Sequence, residues 1–149
     1  WKRDPDCAIC YWGEAWAWGS YLNAPMTAEE APHAFAAIQK AMALKDRADV
    51  GERALIEAMA VRYVERFDAA TRVQQDRAYA EAMKQVTERY PADLDIATLY
   101  ADALFLLEPR RGRRDINDPN VRRLHAVLES VLSRNVRHPG ACHLYVHAT

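Results

Sequence analysis

The sequence predicts an all-α protein built as a row of helix hairpins, and three observations support this prediction. Half of the 149 residues are hydrophobic, and Ala is prominent among them, a composition typical of helical proteins. Apolar residues recur at helical spacing in one segment after another. The opening of the stretch 4–19 also recurs in outline after Pro91 and after Pro139, which indicates a repeated structural unit.

The stretch 4–19 is the predicted first helix. Asp4 precedes Pro5, and Pro is well tolerated in a first helical turn because its missing N–H would have no partner there. Gly19 and Ser20 end the helix. The stretch carries three Trp, a Tyr and a Cys-x-x-Cys motif, so it is the first place to look for a binding surface.

Four more helices are predicted in the middle of the chain, at 28–44, 51–67, 71–90 and 94–107. Thr27 and Glu30 have the spacing of a capping box, which starts the first of them. Pro91 ends the third, since the residue before a proline avoids the helical conformation. The last of the four is apolar nearly all round, so we expect it to be buried.

The C-terminal third begins with a basic loop, 108–117, after which Asp118 and Pro119 start a helix that runs to about residue 135. The segment 138–140 separates this helix from a final one, 141–149, which the end of the chain truncates. Six helices and part of a seventh, paired at similar lengths, are typical of a helix-hairpin array.

Length, charge and termini set limits on the organisation of the protein. We expect residues 1–149 to form a single domain. The chain begins with Trp and ends inside a helical pattern, so we expect it to be a piece of a longer protein. No run of about 18 apolar residues exists, which argues against membrane insertion. The net charge of −1 gives no general attraction to nucleic acid.

The pattern of helix pairs resembles the tetratricopeptide repeat family in a degenerate form. Tyr11, Ala15 and Trp18 match positions of that family's first helix. The second helix of that family is matched three times, with a closing proline in the second and third repeats. The matches are Ala34, Ile38 and Ala41 in the first repeat; Tyr79, Met83, Val86 and Pro91 in the second; and Val127, Val131 and Pro139 in the third. The stretches 4–13 and 143–148 are also similar to those of a bacterial subgroup of the family.

The resemblance covers essentially the whole chain and implies a right-handed α-α superhelix of about three repeats plus part of a fourth. It also implies a concave face, lined by the first helix of each pair, that binds a protein or peptide. Neither a cofactor nor a particular oligomeric state is implied. The compartment stays open between bacterial cytoplasm and periplasm.

Trp12 and Trp16 are the predicted anchors of this binding surface. They lie four residues apart on one helix, with Ile9 one turn earlier, so the three form a stripe. Trp anchors partners well because it is rigid and amphipathic. The alternative is that the two Trp side chains fill a core between helices. Trp18 matches a packing position, and we expect it in the core.

Cys7 and Cys10 allow three interpretations. At the start of a helix the dipole lowers thiol pKa values, and the spacing places both sulfurs on one side. The pair could be a redox disulfide, half of a metal site, or two small buried side chains. The strand context of thioredoxin-like redox proteins is absent, which weakens the first interpretation.

His143 and His147 have the spacing that lets two imidazoles on one helix meet a single zinc or copper ion. Two ligands do not complete a site, and Glu14 or a residue after the chain end could supply a third. Cys7 and Cys10 should lie roughly 30 Å away, at about 10 Å per packed helix layer, unless the superhelix closes. The alternative is that both histidines pack at a groove wall.

Glu14 occupies a place that the repeat family usually gives to Leu. A buried carboxylate there would need a partner, which could be an Arg, a Tyr or a ligand. Glu14 and the histidines could then form a polar pocket for a ligand or a reaction. The alternative is a register shifted by one residue, which would leave Glu14 in solvent.

A cluster of arginines in and after the basic loop could bind phosphate or an acidic protein, but the preferred interpretation is a solvated loop. The cluster comprises Arg110, Arg111, Arg113, Arg114, Arg122 and Arg123. The chain shows neither a Gly-rich phosphate loop nor a nucleophile motif, so the sequence gives no positive indication of an enzyme. It favours a binding scaffold, with metal binding as the alternative.

Overall fold

The computed structural model describes residues 4–109 and 114–149, and within them the protein is all-α, as predicted. The helices are α1 Ala8–Trp18, α2 Ala31–Leu44, α3 Val50–Ala60, α4 Arg72–Arg89, α5 Leu94–Phe105, α6 Pro119–Arg134 and α7 Pro139–Ala148. A short 3₁₀ turn, Lys45–Arg47, follows α2. Among these described residues there is no sheet, and none of the helices has the length and apolar character needed to span a bilayer.

The helices pack in the order of the sequence. Each one contacts the next along the chain, and α1 also packs on α3 while α5 packs on α7. Small side chains allow the close pairing of α1 with α2, because Ala15, Ala34 and Ala41 are all fully buried there. Leu124 and Leu128 on α6 are also fully buried and extend the core toward the C-terminus.

Side-chain caps fix several of the helix starts. Asp93 and Asp118 accept backbone N–H bonds at the N-termini of α5 and α6. The predicted reciprocal bonds of Thr27 and Glu30 also form, at 2.8 and 3.2 Å. They close a turn, however, and α2 begins only at Ala31, one residue before Pro32.

The prediction that the third helix extends to residue 67 is wrong, because α3 ends at Ala60. The chain leaves the helix so that Arg62 and Tyr63 can turn inward. The Tyr63 hydroxyl donates to the Ala15 carbonyl over 2.8 Å, and the Arg62 guanidinium donates to the Ser20 carbonyl. These contacts with the end of α1 outweigh the local helical pattern.

The first and last helices also differ from prediction at their starts. The helix α1 begins at Ala8, since Pro5 and Asp6 form a turn before it. The helix α7 begins at Pro139, two residues earlier than predicted. Its start is set by His138, whose Nδ1 accepts the Ala141 N–H over 3.2 Å and so acts as the N-cap.

Candidate functional site

A pocket of about 680 Å³ lies between the two ends of the chain. The helix α1 contributes Trp12 and Trp16 to it, and the segment 19–23 continues the same wall. The facing wall comes from α5 and the first two turns of α7. Most of the pocket surface is apolar, with a small number of polar groups. This composition is usual for a ligand site.

Trp12 and Trp16 form the aromatic wall of this pocket. Their rings are parallel within 3°, with centroids 6.3 Å apart. Trp16 is 43% exposed, and its indole N–H donates across the pocket to Oδ2 of Asp102 over 3.2 Å. The indole nitrogen of Trp12 is buried and has no hydrogen-bond partner in the described structure. Ile9, the third member of the predicted stripe, is half-buried and does not line the pocket.

Asp102 is the buried carboxyl group of the pocket. It stands on α5 among apolar neighbours and is only 8% exposed. Burial raises the pKa of Asp102, while Arg62, the Trp16 hydrogen bond and His143 act in the opposite direction. Within the described part of the chain, no donor other than Trp16 reaches this carboxyl group.

A buried ionic cluster lies behind the pocket. The Arg72 guanidinium donates to Asp76 Oδ1 over 2.6 Å and to the Arg62 carbonyl over 2.6 Å. Arg62 is fully buried, with its Nε 4.0 Å from Asp76 Oδ1. Its guanidinium stacks over the ring of Tyr79 at 5.0 Å, and burial raises the pKa of the Tyr79 hydroxyl.

Three histidines lie at the α7 side of the site. Because Nδ1 of His138 accepts a backbone N–H, the ring proton is on Nε2, which donates to Asp95 Oδ1 over 3.1 Å. His143 lines the pocket, and its Nε2 lies 3.1 Å from Nε2 of His147 on the next turn. The predicted pair is therefore close enough to share one ligand, although only His143 faces the pocket.

Cys7 and Cys10 form a disulfide at the N-terminus of α1. Of the three interpretations of this pair, the structure shows the disulfide, and a thiolate metal site here would first require reduction. Cys142 is free and exposed. No group of three or more His, Cys, Asp or Glu side chains is arranged to hold a metal in the described ranges.

The other predicted residues lie away from the pocket. Glu14 is half-buried but is not part of the lining. The prediction that Trp18 is a core residue is wrong, because Trp18 is exposed and its ring stacks on His33 with centroids 4.7 Å apart. Residues 110–113 of the basic loop lie outside the described residues, while Arg114 donates to the His147 carbonyl over 2.8 Å.

Sequence reasoning missed most polar residues of the pocket lining, among them Ser20, Asp95 and Asp102, and it missed Arg62 behind the pocket. Asp102 carried a usable signal, since a carboxylate inside a helix that is otherwise apolar all round needs a partner. Arg62 had no such signal, because the sequence placed it inside the predicted helix 51–67. In the structure α3 ends at Ala60, before Arg62. Ser20 is 3% exposed and lines the pocket, yet its hydroxyl has no hydrogen-bond partner among the described residues.

The arrangement offers several groups that can contact a ligand. Two indoles, a buried carboxyl group and an unpaired hydroxyl converge on one apolar pocket, and they can hold a ligand by stacking, hydrogen bonding and charge. The described lining has no nucleophile paired with a base in hydrogen-bond reach. Comparison of the chain with protein-family models, curated proteins and solved structures gives no match in any of the three.

Proposed function

We propose that this chain is a helical-repeat binding domain, a tetratricopeptide-like solenoid, that engages a protein or peptide segment through its concave face. One observation carries the proposal: the exposed Trp16 and the neighbouring Trp12 stand on a large apolar pocket to which both ends of the chain contribute. Exposed Trp side chains at the centre of a pocket are typical of interaction hot spots.

The origin of the lining residues supports the solenoid interpretation. If the helices pair as α1 with α2, α3 with α4 and α5 with α6, then α1, α5 and α7 are all first helices of their pairs. The helical part of the pocket lining comes from these three and from none of the second helices, while α3, the first helix of the second pair, contributes no residue. In an array of stacked hairpins, the first helices line one continuous face, which is the surface expected to receive an extended partner.

Loss of the Trp16 ring is expected to weaken peptide binding by about ten-fold or more, as for a central Trp at an interface. Peptides would be selected from a random displayed library against the untagged protein. Their affinity for the Trp16→Ala variant would then be measured by isothermal titration calorimetry. Trp16 is 43% exposed, but its loss also removes the hydrogen bond to Asp102, so circular dichroism and thermal unfolding would check that the variant is folded.

Trp18→Ala is the matched control, since Trp18 is similarly exposed on α1 but lies outside the pocket. It should bind the selected peptides as the parent protein does. The proposal would be wrong if the peptides bound Trp16→Ala and the parent equally well, or if the library yielded none that bind.

A second candidate function, the binding of a transition metal, is favoured by the separation of the two histidines on α7. The 3.1 Å between Nε2 of His143 and Nε2 of His147 is close to the spacing of about 3.3 Å that two imidazoles adopt on one tetrahedral ion with bonds of about 2.0 Å. A third ligand would have to come from solvent or from a bound molecule.

If this pair binds metal, protein purified without a tag should take up about one zinc or copper ion per chain. The His143→Ala/His147→Ala double variant should lose that ion, while His33→Ala, which removes an exposed imidazole elsewhere, should keep it. Elemental analysis after incubation with either metal measures the uptake. Equal uptake by the double variant, or none by the parent, would rule this candidate out.

A further inference from the structure

The charged groups of the pocket are unevenly distributed. The described lining contains the carboxyl groups of Asp95 and Asp102 but no Lys or Arg. Asp95 is exposed, and among the described residues it pairs with the His138 Nε2–H. The pocket therefore presents carboxylates to a ligand and offers it no permanent cation.

The nearest arginine does not reverse this balance. Arg62 is fully enclosed, and its guanidinium is held by the Ser20 carbonyl and lies near Asp76. A ligand in the pocket would meet the Asp102 carboxyl group directly, whereas the Arg62 charge stands behind it. Since the interaction of two charges falls with their separation, the carboxylate dominates at short range.

The pocket also contains hydrogen-bond acceptors with unused capacity, alongside one donor, the Trp12 indole N–H, that has no acceptor among the described residues. Asp102 accepts one bond, from Trp16, although a carboxylate has room for several. The buried Ser20 hydroxyl accepts none within the described structure. A group with several N–H donors, such as an ammonium or a guanidinium, has enough donors for both positions.

The aromatic wall is suited to the same kind of group. Trp is the best side-chain partner for a cation placed over its ring. The two parallel indoles give an extended face next to the carboxyl group, and the Trp16 N–H already connects that face to Asp102. Aromatic and acidic groups therefore meet at one place in the pocket.

From these contacts we infer that the pocket selects a cationic side chain, Lys or Arg, from the segment it binds. The ammonium or guanidinium stacks on Trp16 and donates to Asp102 and Ser20, while the aliphatic stem covers the apolar lining. This inference rests on the proposed function, and it adds the class of residue that the pocket recognises.

The test uses single capped amino acids as probes. N-acetyl-lysine methylamide and N-acetyl-arginine methylamide are compared with their neutral counterparts, the norleucine and citrulline derivatives. Binding is followed by the shift of the Trp16 indole N–H resonance in ¹H–¹⁵N spectra, assigned from the Trp16→Phe variant. We expect each charged probe to bind about ten-fold more tightly than its neutral counterpart, as for a desolvated cation over Trp.

Asp102→Asn removes the charge but keeps an oxygen that can accept the Trp16 N–H. In this variant, and to a smaller degree in Asp95→Asn, the preference for the charged probes should fall. Glu65→Gln, which removes an exposed carboxylate outside the pocket lining, should leave it unchanged. The inference is overturned if the neutral probes bind as tightly, if neither charged probe binds at millimolar concentration, or if both Asp variants keep the full preference.

The two proposals fail in different ways. If library peptides depend on Trp16 but enter the pocket through a neutral or acidic residue, the cation inference is wrong and the binding function stands. If the peptides ignore Trp16 altogether, both are wrong. Sequencing the selected peptides and replacing each of their Lys and Arg residues with norleucine and citrulline separates these outcomes.

Discussion

Asp76→Ala is expected to lower the free energy of unfolding by about 3–5 kcal/mol, because it leaves buried arginines without their carboxylate. Asp76 Oδ1 lies 2.6 Å from the guanidinium of Arg72 and 4.0 Å from Nε of Arg62. Burial already lowers the pKa of Arg72, and Asp76 is the largest influence in the opposite direction. Equilibrium unfolding in urea would measure the loss.

The control for Asp76 is an ion pair of similar length at the surface. Lys45 Nζ and Glu57 Oε1 are 2.6 Å apart, but both side chains are partly exposed. Glu57→Ala should therefore cost less than about 1 kcal/mol. If both substitutions lowered the free energy of unfolding by less than about 1 kcal/mol, the buried cluster would not stabilise the segment that connects α3 to α4.

Gly19→Ala is expected to destabilise the protein by about 3 kcal/mol, since a side chain does not fit at this position. An added Cβ would overlap with the Tyr63 hydroxyl and lie 3.1 Å from the Arg62 guanidinium carbon. The Tyr63 hydroxyl would have to leave the Ala15 carbonyl, and Arg62 would have to leave the Ser20 carbonyl. Thermal and urea unfolding of the variant would show the loss.

Gly13 provides the matched substitution on the same helix. A Cβ at Gly13 would meet nothing within 4 Å, and Ala is the better helix former, so Gly13→Ala should stabilise the protein by up to about 1 kcal/mol. Opposite signs for the two Gly→Ala changes are the expected result. A stabilising Gly19→Ala would show that the end of α1 is not packed against Arg62 and Tyr63.

Local patterns were sufficient to predict that the chain is helical and where most of its helices lie. Helical spacing and capping residues placed the helix ends within four residues, except the end of α3, and the i, i+4 spacing of Trp12 and Trp16 put both on one face. The end of α3 could not be predicted in this way, because it depends on bonds from Arg62 and Tyr63 to residues more than 40 positions away. Such tertiary contacts leave no mark in a local window.

The facing wall was harder to predict for the same reason. Trp16 and Asp102 are 86 residues apart, so only the packed structure shows that they meet. The sequence placed His143 and His147 together on one helix but gave no reason to connect His143 with Trp16. Asp102 could have been singled out by its apolar neighbours, although its partner could not.

The bond from Trp16 to Asp102 also bears on how the protein unfolds. Helices that pack mainly on their sequence neighbours can open from either end, one pair after another, because few contacts connect distant parts of the chain. The Trp16 indole connects the first helix directly to the fifth, so fraying at the N-terminus removes a contact from the C-terminal half as well. A molecule held in the pocket would add to that connection and make the two halves open more nearly as one cooperative unit.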